Sequence, residues 1–161
     1  MPKLNIGCGA DIVKDWINAD LYYEHSDVVK ADILALPEEW TNHFEEVFCR
    51  HVLEHVGIRD VPVALANLHR VLQPNGKCVI SVPDLDYCCE IFHSCREGTL
   101  LKAWALRTLY GLQDHPGEFH KSGFTETSIK AALKAAGFEI QVFTTIWSAD
   151  QKTLAIQCTK K

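Results

Sequence analysis

The stretch Leu4-Asn5-Ile6-Gly7-Cys8-Gly9, followed by Trp16-Ile17-Asn18-Ala19-Asp20, decides how this chain is read. An apolar run ending in Gly-x-Gly has the form of a buried strand that turns sharply beneath a ligand. The glycines let backbone approach that ligand closely and accept φ values that other residues avoid. An Asp at the tip of the next strand is placed to accept hydrogen bonds from a ribose diol. Only about ten residues separate the turn from Asp20, barely the minimum for a parallel crossover, so a loop or a single turn is expected there and not a full helix.

Outward from this stretch, short β-rich runs alternate with helical periodicity, the pattern of an α/β fold with a parallel sheet covered on both faces. Strands are expected at Lys3–Ile6, Trp16–Asp20, Asp27–Ala31, Glu46–Arg50, Lys77–Val82, Phe138–Thr145 and Thr153–Thr159. The last two are close enough to pair as a hairpin. Asp60 is a candidate cap for a helix running to about Leu72, with Pro62 in its first turn and Val61, Leu65, Leu68 and Leu72 as its buried stripe. Pro74-Asn75-Gly76 stops it. Thr125 caps a second helix carrying Ile129, Ala132, Leu133 and Ala136, and Gly137 supplies a left-handed end. Between Asp84 and Ser122 lies an insertion with two short helices, one through Leu85, Cys88, Cys89 and Phe92, the other through Leu101, Trp104, Ala105 and Leu109.

At 161 residues the chain reads as one domain, 1–161, with the insertion 84–122 inside it. The net charge of −5 argues against a nucleic-acid backbone partner, which wants a basic face. No apolar run approaches the ~20 residues that span a membrane. Met1-Pro2-Lys3 leads straight into a strand, so no leader peptide is expected and the cytoplasm is the default location. The seven cysteines form no Cys-x-x-Cys pair, the usage of a reducing compartment. Cys88, Cys89, His93 and Cys95 form a denser group, but their spacing fits one helix face and no matching half appears elsewhere; no metal is expected.

Taken in order, Leu4-Asn5-Ile6-Gly7-Cys8-Gly9, Trp16-Ile17-Asn18-Ala19-Asp20-Leu21, Ala31-Asp32-Ile33 and His51-Val52-Leu53-Glu54-His55 resemble the class I S-adenosylmethionine-dependent methyltransferases, in a compact, bacterial-type branch. Arg70-Val71-Leu72-Gln73-Pro74-Asn75-Gly76 followed by Ser81-Val82-Pro83-Asp84 is similar to that family's helix and fifth strand after the cofactor site. His120-Lys121-Ser122-Gly123-Phe124-Thr125 before an Ala-Gly-Phe helix end also matches. The resemblance implies a Rossmann-like, seven-stranded, mostly parallel sheet with one antiparallel strand and helices on both faces. It implies S-adenosylmethionine as cofactor and S-adenosylhomocysteine as product. Two departures stand out: Ala10-Asp11 replaces the usual third glycine, and the chain opens on its first strand, without the N-terminal helices that often cover substrate.

Resemblance and geometry together put Gly7, Cys8 and Gly9 along the methionine and ribose part of the cofactor, and Asp20 on the ribose hydroxyls. Asp32 would accept from the adenine amino group, with the Ile33 amide donating to the ring. Arg50 and His51 would sit by the methionine end, and Leu53 over the adenosine or sulfonium region. Asp20 and Asp32 also read as solvated strand ends, His55 as a structural histidine, and Glu54 as a carboxylate offered to the helix that follows. Methyl transfer asks mainly for alignment of the acceptor with the methyl group, helped by a base near neutral pKa. His120, Asp84 and His51 are the candidate catalytic groups, with Asp86, Tyr87, His115 and Lys121 also near the mouth. Residues 84–122 are expected to face substrate, since loops on a rigid scaffold are where binding residues concentrate.

The leading expectation is a methyltransferase acting on a small-molecule or glycan acceptor, with a protein side chain kept open. A second is a non-catalytic module that binds S-adenosylmethionine or S-adenosylhomocysteine and acts through a partner protein. A nicotinamide-dependent enzyme is disfavoured, because a dinucleotide fingerprint needs a helix N-terminus under the pyrophosphate and the first crossover is too short for one.

Overall fold

The computed structural model describes residues 1–148 and 151–161. Seven strands form one sheet: β1 (Lys3–Ile6), β2 (Ile17–Asp20), β3 (Val28–Lys30), β4 (Phe44–Arg50), β5 (Leu72–Pro83), β6 (Phe138–Ser148) and β7 (Gln151–Lys160). Their order is β3-β2-β1-β4-β5-β7-β6. Pairings from β3 across to β5 are parallel, and β7 runs antiparallel to both β5 and β6. The sheet is therefore the expected mostly parallel one, closed by the late hairpin. Four helices flank it: α1 (Val61–Val71), α2 (Leu85–Ser94), α3 (Leu100–Tyr110) and α4 (Glu126–Ala135).

The helices form where apolar residues recur at helical spacing. In α1, Val61, Ala64, Leu65, Leu68 and Val71 are buried against the sheet. Thr125 closes a capping box with Ser128 at the start of α4, which buries Ile129 and Leu133, and Gly137 follows at φ +90°. Two local expectations are corrected. The Asp60 side chain makes no capping hydrogen bond. Pro74-Asn75-Gly76 does not separate helix from strand either: β5 begins at Leu72 directly after α1, with Leu72 paired to Phe44 and the register irregular between Phe44 and Glu46.

The first crossover has no helix, as its length requires. Two buried asparagines hold it instead. The Asn5 amide donates to Asn18 Oδ1 (3.1 Å) and to the Asp11 carbonyl (2.8 Å). Asn18 Oδ1 also accepts from the Val13 amide, and its Nδ2 donates to the Val13 and Trp16 carbonyls. Backbone polar groups that a helix would have paired internally are thus satisfied by side chains from β1 and β2. On the sheet, Trp16 covers Phe48 of β4, with ring centroids 4.2 Å apart.

The core is continuous through the middle strands. Leu4, Val47, Cys49, Ile80, Ile156 and Cys158 are among its buried residues. Cys78 on β5 stands opposite Cys158 on β7, and all seven thiols are free. Burial pushes the Cys49 thiol up, and the neighbouring Cys158 together with burial does the same to Cys78.

Strand order reverses between β1 and β4, since the chain builds outward to β2 and β3 from one and to β5 from the other. The carboxyl ends of these two strands, Ile6 and Arg50, frame the crevice where open α/β sheets bind ligands.

Candidate functional site

At the end of β1 the chain turns under that crevice. Gly7 and Gly9 have φ of +66° and +49°, and the amides of Gly7 and Cys8 both donate to the Ala19 carbonyl. A Cβ on Gly7 would lie 2.2 Å from Val52 Cγ2, so only glycine lets the turn pass beneath the β4 end. A Cβ on Gly9 would meet nothing within 4 Å, which leaves bare backbone facing open space.

Asp20 ends β2 with its carboxylate folded back on the turn. Oδ2 accepts from the Gly9 amide at 2.9 Å, and Oδ1 accepts from the amides of Tyr22 (2.8 Å) and Tyr23 (2.9 Å). Two carboxylate oxygens offer about four acceptor positions, so one is left for a ligand, on Oδ2. Asp32 follows β3 and caps a single 3₁₀ turn, its Oδ1 accepting from the Leu34 amide. Burial and the Asp20 charge push the Cys8 thiol up to about 11, so it stays protonated.

At the end of β4, Arg50 Nη2 pairs with Asp11 Oδ2 at 2.7 Å and ties the crossover loop to that strand. His51 then adopts φ +55°, an uncommon conformation for a side-chain-bearing residue and one that gathers at functional sites. Its Nδ1–H donates to Glu54 Oε1 at 3.1 Å. Glu54 is only 2% exposed, and its Oε2 has no hydrogen-bond partner.

These elements enclose a cavity of about 900 Å³, within the size range of small-molecule sites. Gly7, Cys8, Gly9, Asp20, Asp32, Ile33, Arg50 and His51 all line it. Leu53 does not: it is fully buried in the core behind the 3₁₀ turn Leu53–His55. Tyr22, Val52 and Asp60 also line the cavity, and none of them was expected there: Asp60 reads as a helix cap and Val52 only as part of the His51–His55 motif. Tyr22 could have been suspected from its place directly after the Asp20 strand end. The other two depend on how the chain after β4 folds back, which no local signal encodes.

Some of the remaining candidates reach one or both of two cavities, and others reach neither. His115, Glu118 and Lys121 border the large cavity from the polar stretch after α3. His120 lines a smaller cavity of about 280 Å³ with Glu54, Thr108 and Lys121, and its Nδ1–H donates to the Thr108 carbonyl at 2.6 Å. Asp84 faces neither: it is 4% exposed, caps α2 through the Asp86 and Tyr87 amides, and pairs with Lys152 at 2.8 Å. Glu54 turns its carboxylate inward to His51 and not toward the following helix. A bridge between Asp84 and Phe124 joins the two ends of the insertion, and one between Gly111 and Phe119 closes a loop inside it.

A family model described as a methyltransferase domain matches residues 2–141. No curated protein matches the chain. Among solved structures, a 1,6-didemethyltoxoflavin-N1-methyltransferase from Burkholderia thailandensis, with bound 1,6-didemethyltoxoflavin and S-adenosylhomocysteine, is similar at TM-score 0.70 and 20% identity, covering 99% of this chain and 70% of that one. A SAM-dependent methyltransferase from Methanosarcina mazei gives TM-score 0.70 at 13% identity over 99% of this chain and 92% of its own. One from Thermotoga maritima, described as a possible histamine N-methyltransferase, gives 0.68 at 16% identity over 99% and 82%. The switch-point crevice, the helix-less glycine turn and the match across 2–141 agree, and this chain belongs to the methyltransferase-domain family, on the fold of the class I S-adenosylmethionine-dependent methyltransferases.

Proposed function

We propose that the protein is an S-adenosylmethionine-dependent methyltransferase acting on a small-molecule or glycan acceptor and releasing S-adenosylhomocysteine. The observation that carries this reading is the cavity itself, where a bare Gly7–Gly9 backbone, a carboxylate with one open acceptor position and a positive-φ histidine meet at the switch point.

The residues fit the cofactor. Asp20 Oδ2 takes a ribose hydroxyl, Asp32 receives the adenine amino group, and Ile33 donates its amide to the ring. Gly9 leaves space for the ligand that a side chain would fill. Arg50 and His51 stand at the methionine end. When bound, S-adenosylmethionine supplies a methyl group on a sulfonium that is already electrophilic.

Glu54 accepts the Nδ1–H of His51 and so fixes the tautomer that leaves Nε2 able to take the acceptor's proton. The buried carboxylate also stabilises the imidazolium that results. Residues 84–122 form the substrate-facing cap, with His115, Glu118 and Lys121 as its contribution to the cavity wall. A small acceptor suits this wall, and the similar Burkholderia structure holds 1,6-didemethyltoxoflavin beside S-adenosylhomocysteine. No helix among the described residues is long and apolar enough to cross a membrane.

The test is calorimetric titration of the ligand-free protein with S-adenosylhomocysteine, then turnover of methyl-labelled S-adenosylmethionine against a panel of small hydroxyl- and amine-bearing acceptors and glycans. Micromolar binding with acceptor-dependent label transfer is expected. Tight binding with no transfer to any member, or to an added protein, would leave a binding module and refute catalysis.

A further inference from the structure

Among the described residues, the donor groups that converge most closely lie at neither the glycine turn nor the cysteine-rich helix. A carboxylate oxygen of Glu54 and one ring nitrogen each of His55 and His120 lie within 4.8 Å of one another. We propose that Glu54, His55 and His120 hold one divalent transition-metal ion of the zinc class, at the junction of the two cavities.

Three observations point there independently. The first is the orphaned oxygen. Glu54 is only 2% exposed, and Oε2 has no partner while Oε1 takes the His51 Nδ1–H. A buried carboxylate oxygen without a partner is costly, and a bound cation would complete it. The second is the orientation of both rings. His55 donates Nδ1–H to the Phe119 carbonyl (3.3 Å) and His120 donates Nδ1–H to the Thr108 carbonyl (2.6 Å). Backbone acceptors on Nδ1 are the outer-shell device that fixes a metal-binding histidine and leaves the Nε2 lone pair as ligand.

The third is that the site is already assembled from two separate segments. The Glu54 carbonyl accepts from the amides of Lys121 (2.7 Å) and Ser122 (3.1 Å), and Ser122 Oγ donates to the Leu53 carbonyl at 2.9 Å. The loop carrying His120 is thereby fastened to the turn carrying Glu54 and His55, and the two rings meet edge-to-face at 4.7 Å.

Two imidazoles and one carboxylate suit Zn²⁺, Co²⁺ or Fe²⁺ better than Mg²⁺ or Ca²⁺, which prefer oxygen. Bonds of 2.0–2.2 Å in tetrahedral geometry bring ligand atoms to about 3.4 Å apart, so the three side chains close by at most about 1.4 Å on loading. His55 lines the large cavity, and Glu54 and His120 line the small one, so the fourth position opens where an acceptor oxygen or water enters. This inference shares Glu54 with the methyltransferase reading, through its Oε1 bond to His51, but none of its three ligands is among the cofactor contacts.

The test loads chelator-stripped full-length protein with Co²⁺ and follows its visible d–d absorption, with Zn²⁺ as competitor. One equivalent is expected, with affinity falling at least about tenfold in His120→Ala and in His55→Ala and unchanged in Cys89→Ser. Circular dichroism identifies a folded variant, and Glu54→Gln gives a third substitution of nearly equal size. No stoichiometric Co²⁺ band, binding unaltered in the folded histidine variants, or binding lost in Cys89→Ser would each overturn the site. S-adenosylhomocysteine titration of the metal-free protein is scored separately, so a failed metal site and a failed cofactor site give different results.

Discussion

Replacing Asp20 by alanine isolates the cofactor contact on which the functional reading depends most. Three of its acceptor positions are occupied by the Gly9, Tyr22 and Tyr23 amides, leaving one on Oδ2 for a ribose hydroxyl. A hydrogen bond to a charged group contributes about 1.5–3 kcal/mol, so Asp20→Ala should raise the Kd for S-adenosylhomocysteine about 10–150-fold. Asp20→Asn is the sharper companion. Its amide oxygen still serves the Tyr22 and Tyr23 amides, but its NH₂ then faces the Gly9 N–H, donor against donor. The assay is calorimetric titration at fixed pH, with thermal unfolding as the control for fold. A Kd within threefold of wild type in both folded variants would refute the placement of Asp20 on the ligand and, with it, the orientation assigned to the cofactor.

Other expectations follow from single features. Gly7→Ala meets a left-handed φ and a Cβ 2.2 Å from Val52 and should cost about 2–4 kcal/mol in chemical denaturation. Gly9→Ala meets no neighbour within 4 Å, so it should cost only about 1–2 kcal/mol of backbone strain and be felt mainly in ligand affinity; equal destabilisation by the two would contradict the geometry. Asn18→Ala removes four hydrogen bonds that hold the first crossover and should cost about 2–4 kcal/mol, read as a drop of about 5–15 °C in Tm. Asp84→Ala should lower stability by about 1–3 kcal/mol through the lost α2 cap and the lost Lys152 pair, with the Kd for S-adenosylhomocysteine unmoved. Burial, then the Lys160 charge, holds the His69 imidazole below its ordinary 6.5. The unfolded chain therefore binds more protons below that value, so this part of the stability is full above about pH 6.5 and lost as pH falls through the folded value. His69→Gln should flatten that acid slope in denaturant titrations; an unchanged slope would exclude His69 as its source.

What could be read beforehand was whatever short-range chemistry encodes. Gly7, Gly9, Asp20 and Asp32 announce themselves by residue type at strand ends, and the missing crossover helix follows from chain length alone. The role of Asn5 and Asn18 was hidden, because a buried amide within a strand looks like any polar residue until its partners across the sheet are known. Leu53 and Glu54 illustrate the same limit. A 3₁₀ turn at the β4 end rotates the leucine into the core and the glutamate in after it, a result of long-range packing that no periodicity shows. His120 and Asp84 were legible as polar groups near the mouth, but their orientation is set by contacts with Thr108 and Lys152, distant in sequence.

Three unpaired thiols at the centre of the sheet turn the molecule into its own unfolding clock. Cys49, Cys78 and Cys158 sit on β4, β5 and β7 with no solvent exposure, whereas Cys89 on α2 is open to solvent. A thiol-specific reagent has immediate access to Cys89 and reaches the central three only when the middle strands part. Labelling them thus samples the rarest and largest openings, which report the global free energy directly. Each added ligand can then be ranked by how far it slows that late labelling phase, without any knowledge of the reaction it supports.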